Sequence, residues 1–192
     1  MSSSIWCIGK NYSLHAKELA EPVEKEPLVF LKSVHCLVPS GGKIDLPCFS
    51  SNIEYEAELA FLFDEDLEFS QITIALDLTA RDIQSVSKKK GLPWTLAKSF
   101  KQSCPLGRWL PYKNSEAIDF SLQVNGTLRQ NGNSSDMLFS VTDIKKYLKK
   151  HFPVRPGDIV LTGTPEGISK VLPGDLASVY LGNTLMGSWS FS

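Results

Sequence analysis

The stretch Ile53-Glu54-Tyr55-Glu56-Ala57-Glu58-Leu59-Ala60-Phe61-Leu62-Phe63 constrains the fold of this 192-residue chain more than any other part of it. Its first half alternates acidic and apolar side chains with the period of two of a β-strand, and its second half is apolar throughout. A strand with one charged face can border water, whereas one that is apolar on both faces has to be covered on both sides. Residues 53–63 therefore predict a strand that runs from a polar mouth into the middle of a buried sheet. Glu54, Glu56 and Glu58 share one face at that mouth, with neighbours about 7 Å apart. Three like charges so placed need solvent or a cation. Two readings follow: a water-facing strand end, or hard oxygen ligands for a divalent ion.

Asp77 adds a second acid inside the apolar run Ile74-Ala75-Leu76-Asp77-Leu78. A carboxylate there is costly to bury unless it is paired or metal-bound. Arg81, four residues on, offers a plain ion pair as the alternative. Carboxylates without His or Cys suit Mg²⁺ or Mn²⁺ better than zinc. Cys7, Cys36, Cys48 and Cys104 are scattered, with no CxxC pair and no His at zinc-ligand spacing.

Around these acids the chain reads as strands joined by short turns. Apolar or alternating runs at 5–8, 28–31, 44–47, 72–78, 159–162, 177–181 and 185–191 predict strands, and Asn125-Gly126 predicts a hairpin between 120–124 and 127–130. Helical spacing is confined to 140–150 and to a short segment capped by Ser13, with His15 and Glu18 on one face. The expected class is α+β and β-rich, with antiparallel pairing and a few peripheral helices. The βα alternation and glycine-rich loop of a doubly wound nucleotide-binding fold are missing.

Hydrophobic residues at 42% and a formal net charge of -1 fit one ordinary globular domain over 1–192 and predict no nucleic-acid or membrane partner. No apolar run approaches the roughly 20 residues of a membrane span, and the first residues lack a secretory pattern, so the expected location is cytoplasmic. Lys88, Lys89 and Lys90 read as a solvated face, and His35 and His151 as structural.

Five segments in order resemble the core of the fumarylacetoacetate hydrolase family: residues 53–59, 76–84, 96–100 (Leu-Ala-Lys-Ser-Phe), 129–137 and 160–167 (Val-Leu-Thr-Gly-Thr-Pro-Glu-Gly). Residues 88–100 and the opening Cys7-Ile8-Gly9-Lys10-Asn11-Tyr12 bring the likeness nearest to acylpyruvate hydrolases that also decarboxylate oxaloacetate. The resemblance implies a mixed β-sandwich roll, usually a homodimer, with metal ligands Glu56, Glu58 and Asp77 and with Glu54 outside the ligand set. It implies a catalytic dyad of His15 and Glu18 on a lid segment of about 10–27 that orders on ligand binding. Lys98 is implied to face the substrate, Thr164 to lie near its carboxylate, and Arg81 and Gln84 to line the same pocket; Lys32 is grouped with these substrate-binding residues. Ser33 and Glu166 depart from the family's usual residues.

The chemistry so implied is Mg²⁺- or Mn²⁺-dependent cleavage of a bond to C3 of a small 2-oxo acid. It comprises C–C hydrolysis of acylpyruvates, decarboxylation of oxaloacetate, or both, through an enolate whose charge the metal stabilises. His15 would act as general base, Glu18 would orient it, and Lys98 would supply positive charge. Two other readings stand beside it. One is an isomerase-decarboxylase of the 2-hydroxyhepta-2,4-diene-1,7-dioate type; the other is a catalytically silent binder that keeps the fold.

Overall fold

In the computed structural model the described residues are 4–12, 25–113 and 117–192. The strand expected over 53–63 is two strands, β5 (Ile53–Tyr55) and β6 (Ala57–Phe63), with Glu56 at the break. β6 lies at the centre of the larger sheet. That sheet runs β2 (Leu28–Ser33), β1 (Ser4–Gly9), β13 (Ile159–Leu161), β6, β7 (Phe69–Leu76), β9 (Cys104–Leu106), β3 (Leu37–Pro39), and β10 (Leu110–Pro111) pairs with β7. A second sheet runs β12 (Thr127–Asn133), β11 (Asp119–Val124), β15 (Leu176–Leu181), β16 (Thr184–Phe191), β4 (Lys43–Ile44). A small third one joins β14 (Ser169–Lys170), β5 and β8 (Thr79–Ala80).

The apolar double face of β6 is explained by what covers it. Ala57, Leu59, Phe61 and Phe63 enter a core shared with Phe120, Leu122, Val179 and Trp189 of the second sheet. Ala60, on the other face, packs with Ile5, Cys7, Cys36, Ala75, Cys104 and Leu161. Pairing is mostly antiparallel, as expected, but β1–β13, β3–β9 and β16–β4 are parallel, so the sheets are mixed. Asn125 and Gly126, with φ of 52° and 75°, form the predicted two-residue hairpin turn with both central residues left-handed.

The helix expected near 140–150 spans Val141–His151 and opens with a capping box between Ser140 and Asp143. The sequence did not predict the helix Arg81–Lys90 or the single turn Thr95–Lys98 that follows it. The segment expected to be helical after Ser13 lies outside the described residues, as does most of the expected lid at 10–27. All four cysteines are free, and only Cys48 is exposed. Among the described residues no helix is long and apolar enough to cross a membrane.

Asp158 ties the first strand into this frame. Its buried carboxylate accepts hydrogen bonds from Ser4 N (2.7 Å), Trp6 Nε1 (2.8 Å) and Arg155 N (3.0 Å). Removing it strands the buried Trp6 Nε1–H and loosens two part-buried amides. Asp158→Ala is expected to destabilise the fold by about 2–4 kcal/mol in denaturant unfolding, and Asp158→Asn by less; an unchanged midpoint in the alanine variant contradicts this account.

Candidate active site

The site grows out of one irregularity in the β6–β7 hairpin. Ala57 faces Leu76, and on the far side of the break Glu54 of β5 faces Thr79 of β8, so the register is the same on both sides. Glu56 and Asp77 therefore stand opposite each other, and the amide of Asp77 donates to the Glu56 carbonyl (2.8 Å). Like charges facing each other across an antiparallel pair are destabilising. Glu58 joins them from β6: one carboxylate oxygen from each of Glu56, Glu58 and Asp77 falls within 4.8 Å of the others, and all three residues are buried.

Three cations answer these acids. Lys98, at the end of the turn Thr95–Lys98, places Nζ 2.7 Å from Glu56 Oε2, 2.6 Å from Asp77 Oδ2 and 2.6 Å from Thr79 Oγ1, so all three of its N–H groups have acceptors. Burial acts to lower its pKa, but the fields of Asp77 and Glu56 outweigh burial and hold the amine protonated. Arg81, at the start of its helix, donates from Nε to Glu54 Oε2 (2.6 Å), from one terminal nitrogen to Glu56 and from the other to Gln84 Oε1 (2.6 Å). Its pKa is likewise raised, the attraction of Glu56 and Glu54 outweighing burial.

Lys32 is the third. It was grouped from the sequence with the substrate-binding residues, but the structure encloses its side chain completely beneath the acids. Its Nζ donates to the carbonyls of Leu78 (3.3 Å), Ser103 (3.0 Å) and Lys98. The same Nζ lies 2.8 Å from Asp77 Oδ1, close enough for charge pairing but outside hydrogen-bond alignment, so that buried oxygen has no donor. Lys32 positions Asp77 and the Lys98 turn; it does not line the pocket.

Glu58 makes no ion pair among the described residues; it accepts the Gly163 amide (2.7 Å). Burial first, then Asp77 and Glu56, push its pKa well above the ordinary glutamate value of 4.5. Gly163 makes this contact possible: its φ is +92°, and a Cβ there would lie 2.8 Å from Asn11 Cβ. Asn11, fully buried, welds the loop after β1 to this corner by donating to the Thr162 (2.8 Å) and Phe139 (3.0 Å) carbonyls.

The next residue, Thr164, accepts from Gln130 Nε2 (2.8 Å), and Gln130 Oε1 accepts the Ala57 amide (2.9 Å). Gln130 thus sets the hydroxyl against the start of β6. Sequence reasoning passed it over, because a lone glutamine in a polar hairpin strand carries no periodic signal.

The pocket above the acids is lined by Lys10, Phe30, Glu56, Glu58, Asp77, Arg81, Gln84, Lys88, Trp94, Lys98, Gly163 and Thr164, among others. The structure thus brings together every predicted site residue that it describes, apart from Lys32. His15 and Glu18 lie outside the described residues. Lys89 and Lys90 are exposed, as expected of a solvated face, but Lys88 is half-buried and belongs to the pocket wall.

Among the described residues Glu54, Glu56 and Asp77 are ion-paired with Lys32, Arg81 and Lys98, and Lys10 and Lys88 also line the pocket. Glu58, which makes no ion pair among the described residues, lies with Glu56 and Asp77 where a further positive charge would fit. An all-oxygen donor set fits a hard divalent ion, Mg²⁺ or Mn²⁺. The nearby thiols do not compete for it, since burial raises the pKa of Cys7 and pushes that of Cys104 up to about 12.

A carboxyl whose folded pKa lies above its unfolded one adds stability that is present below the ordinary glutamate range and lost as pH rises through the folded value. Metal-free Glu58→Gln is therefore expected to melt above metal-free wild type at pH 8, with the gap closing toward pH 4. A gap independent of pH in differential scanning calorimetry contradicts the assignment.

The chain is similar to known proteins over nearly its whole length. The chain is 40% identical over 185 residues to the mitochondrial oxaloacetate tautomerase FAHD1 of Rattus norvegicus, an alignment covering 90% of this chain and 84% of the relative. It is 37% identical over 186 residues to the mitochondrial oxaloacetate decarboxylase of Dictyostelium discoideum, covering 90% and 85%. The fold superposes with a TM-score of 0.92 on the fumarylpyruvate hydrolase of Pseudomonas aeruginosa solved with Mn²⁺ and pyruvate, at 30% identity over 99% of this chain and 89% of that one. The mitochondrial names of the first two lend no support to the cytoplasmic location expected from the sequence. Residues 4–187 match the fumarylacetoacetate (FAA) hydrolase C-terminal family, and the chain belongs to that family.

Proposed function

We propose that this chain is an oxaloacetate-handling enzyme that interconverts the keto and enol forms of the acid. The observation that carries the reading is the buried Glu56–Glu58–Asp77 cluster with Lys98 wedged against it at the floor of a small polar pocket. The identity to oxaloacetate tautomerases supports the substrate. Glu56, Glu58 and Asp77 would hold Mg²⁺ or Mn²⁺, which when bound acts as a Lewis acid toward a 2-oxo carboxylate.

The remaining work falls to side chains. The Lys98 ammonium, held charged by Glu56 and Asp77, stabilises negative charge that develops on the keto oxygen as C3 loses a proton. Arg81 fixes the Gln84 amide by taking its oxygen, which leaves the NH₂ group to donate to the bound acid. Thr164 accepts from Gln130 and keeps its own proton for the substrate carboxylate. His15, oriented by Glu18, is the proposed carrier of the proton between C3 and the enol oxygen; this pair rests on the family resemblance.

A second reading is favoured by the Dictyostelium relative: the same cluster supports loss of the C4 carboxylate as CO₂. The Pseudomonas neighbour is named for a third reaction, hydrolysis of fumarylpyruvate. One assay separates the first two. With Mg²⁺, wild type is expected to speed the decay of enol-oxaloacetate absorbance without matching release of pyruvate. Asp77→Asn and Lys98→Met should each slow that decay by about 10²-fold or more. Decay no faster than in buffer with Mg²⁺ contradicts the tautomerase reading, and pyruvate formed at the same rate as enol is lost replaces it with decarboxylation.

A further inference from the structure

The sequence holds two Asn-Gly pairs, Asn125-Gly126 and Asn131-Gly132. Glycine offers no Cβ to hinder its own backbone nitrogen from approaching the preceding asparagine's side-chain carbonyl carbon. When that nitrogen attacks, a bond forms from the glycine N to the asparagine Cγ and the Cγ–Nδ2 bond breaks. Ammonia leaves, carrying the proton of the glycine amide. Water then opens the five-membered succinimide to aspartate or to isoaspartate, whose backbone runs through the side chain. Water is the only other reactant.

The fold puts the two pairs in different settings. Asn131 lies on β12, paired with Ser121, and Gly132 beside it is buried. A Cβ on Gly132 would lie 2.6 Å from the Phe120 ring and 3.0 Å from Pro165, so reaction at Asn131 requires the strand to unpair. Asn125 and Gly126 instead form an exposed turn, and a Cβ on Gly126 would meet nothing within 4 Å. At such a turn only the hold on the asparagine side chain opposes the reaction.

That hold has two ends. Asn125 Nδ2 donates to Asp175 Oδ1 (2.8 Å), and Asn125 Oδ1 accepts the Leu176 amide (2.9 Å). Leu176 opens β15, which flanks β11 on one side, whereas Gly126 leads the chain into β12 on the other. The side-chain amide is thus drawn away from the turn whose nitrogen would attack it. Asp175 is itself fixed, since its second carboxylate oxygen accepts the Leu172 amide (2.8 Å) and its carbonyl accepts the Phe191 amide (3.0 Å).

We propose that Asn125 is a latent deamidation site of the folded chain and that the Asp175 carboxylate sets how fast it reacts. The product cannot restore the clamp. An aspartate at position 125 lacks the N–H that Asp175 accepts and sets two carboxylates against each other.

Peptide mapping by mass spectrometry after prolonged warm incubation at mildly alkaline pH tests this, with Asn131 as the internal control and the urea-denatured chain as the reference. Folded wild type is expected to react far more slowly than the denatured chain at both sites. Asp175→Ala removes a hydrogen bond to a charged group and is expected to speed reaction at Asn125 about tenfold or more, with Asn131 unchanged. Asp175→Asn keeps an acceptor oxygen and should fall between the two. Equal rates at Asn125 in wild type and Asp175→Ala overturn the proposal. So does a rise shared equally by Asn131, which marks global opening in place of a local clamp, or wild type that reacts at Asn125 as fast as the denatured chain.

Discussion

Everything in this site depends on two carboxylates that the hairpin register forces to face each other. Glu56 and Asp77 are fixed by strands that continue in the same register on both sides of them, so neither can swing away without breaking the β6–β7 pairing. Lys98 between them is the local answer, and it explains why a lysine is buried at the end of a single helical turn. Lys32 extends the answer downward: by donating to the Lys98 and Ser103 carbonyls it fixes the backbone that delivers Lys98. Removing either partner of such a buried pair leaves an uncompensated charge, which is far costlier than the pair is worth.

The same arrangement explains how one fold positions chemistry at a strand mouth. Glu58 of β6 makes no ion pair among the described residues, and its oxygen is met by the Gly163 amide from a loop that only glycine can form at that distance from Asn11. Gln130 sets Thr164 from a different sheet. Residues from both large sheets and from two helices thus converge because β6 lies at the centre of one sheet and packs on the other.

Much of this was legible in the sequence, for identifiable reasons. Glu56, Glu58 and Asp77 stood out because each breaks an apolar context, and burial of such groups demands a partner. The hairpin at Asn125-Gly126 was legible because both residues tolerate left-handed backbone. The helix Arg81–Lys90 was not, because its inward face carries Arg81, Gln84, Ser87 and Lys88 instead of an apolar stripe, and Ala80 provides no side-chain cap. A helix that packs its polar face on a polar pocket leaves no hydrophobic period to read. Lys32 was misplaced for a related reason: a lysine at the end of an apolar strand gives no hint that carbonyls and an aspartate enclose it. Lys88 read as part of an exposed basic run because sequence alone does not separate it from Lys89 and Lys90.

The central proposal is that Glu56, Glu58 and Asp77 form one divalent-cation site. Electron paramagnetic resonance titration of Mn²⁺ into chelator-treated protein tests it most directly, since free Mn²⁺ gives a signal that bound ion loses. The account predicts saturation at one ion per chain, displaced by Mg²⁺ and abolished in Asp77→Asn. Binding of equal strength in Asp77→Asn, or no binding at millimolar Mn²⁺, contradicts it.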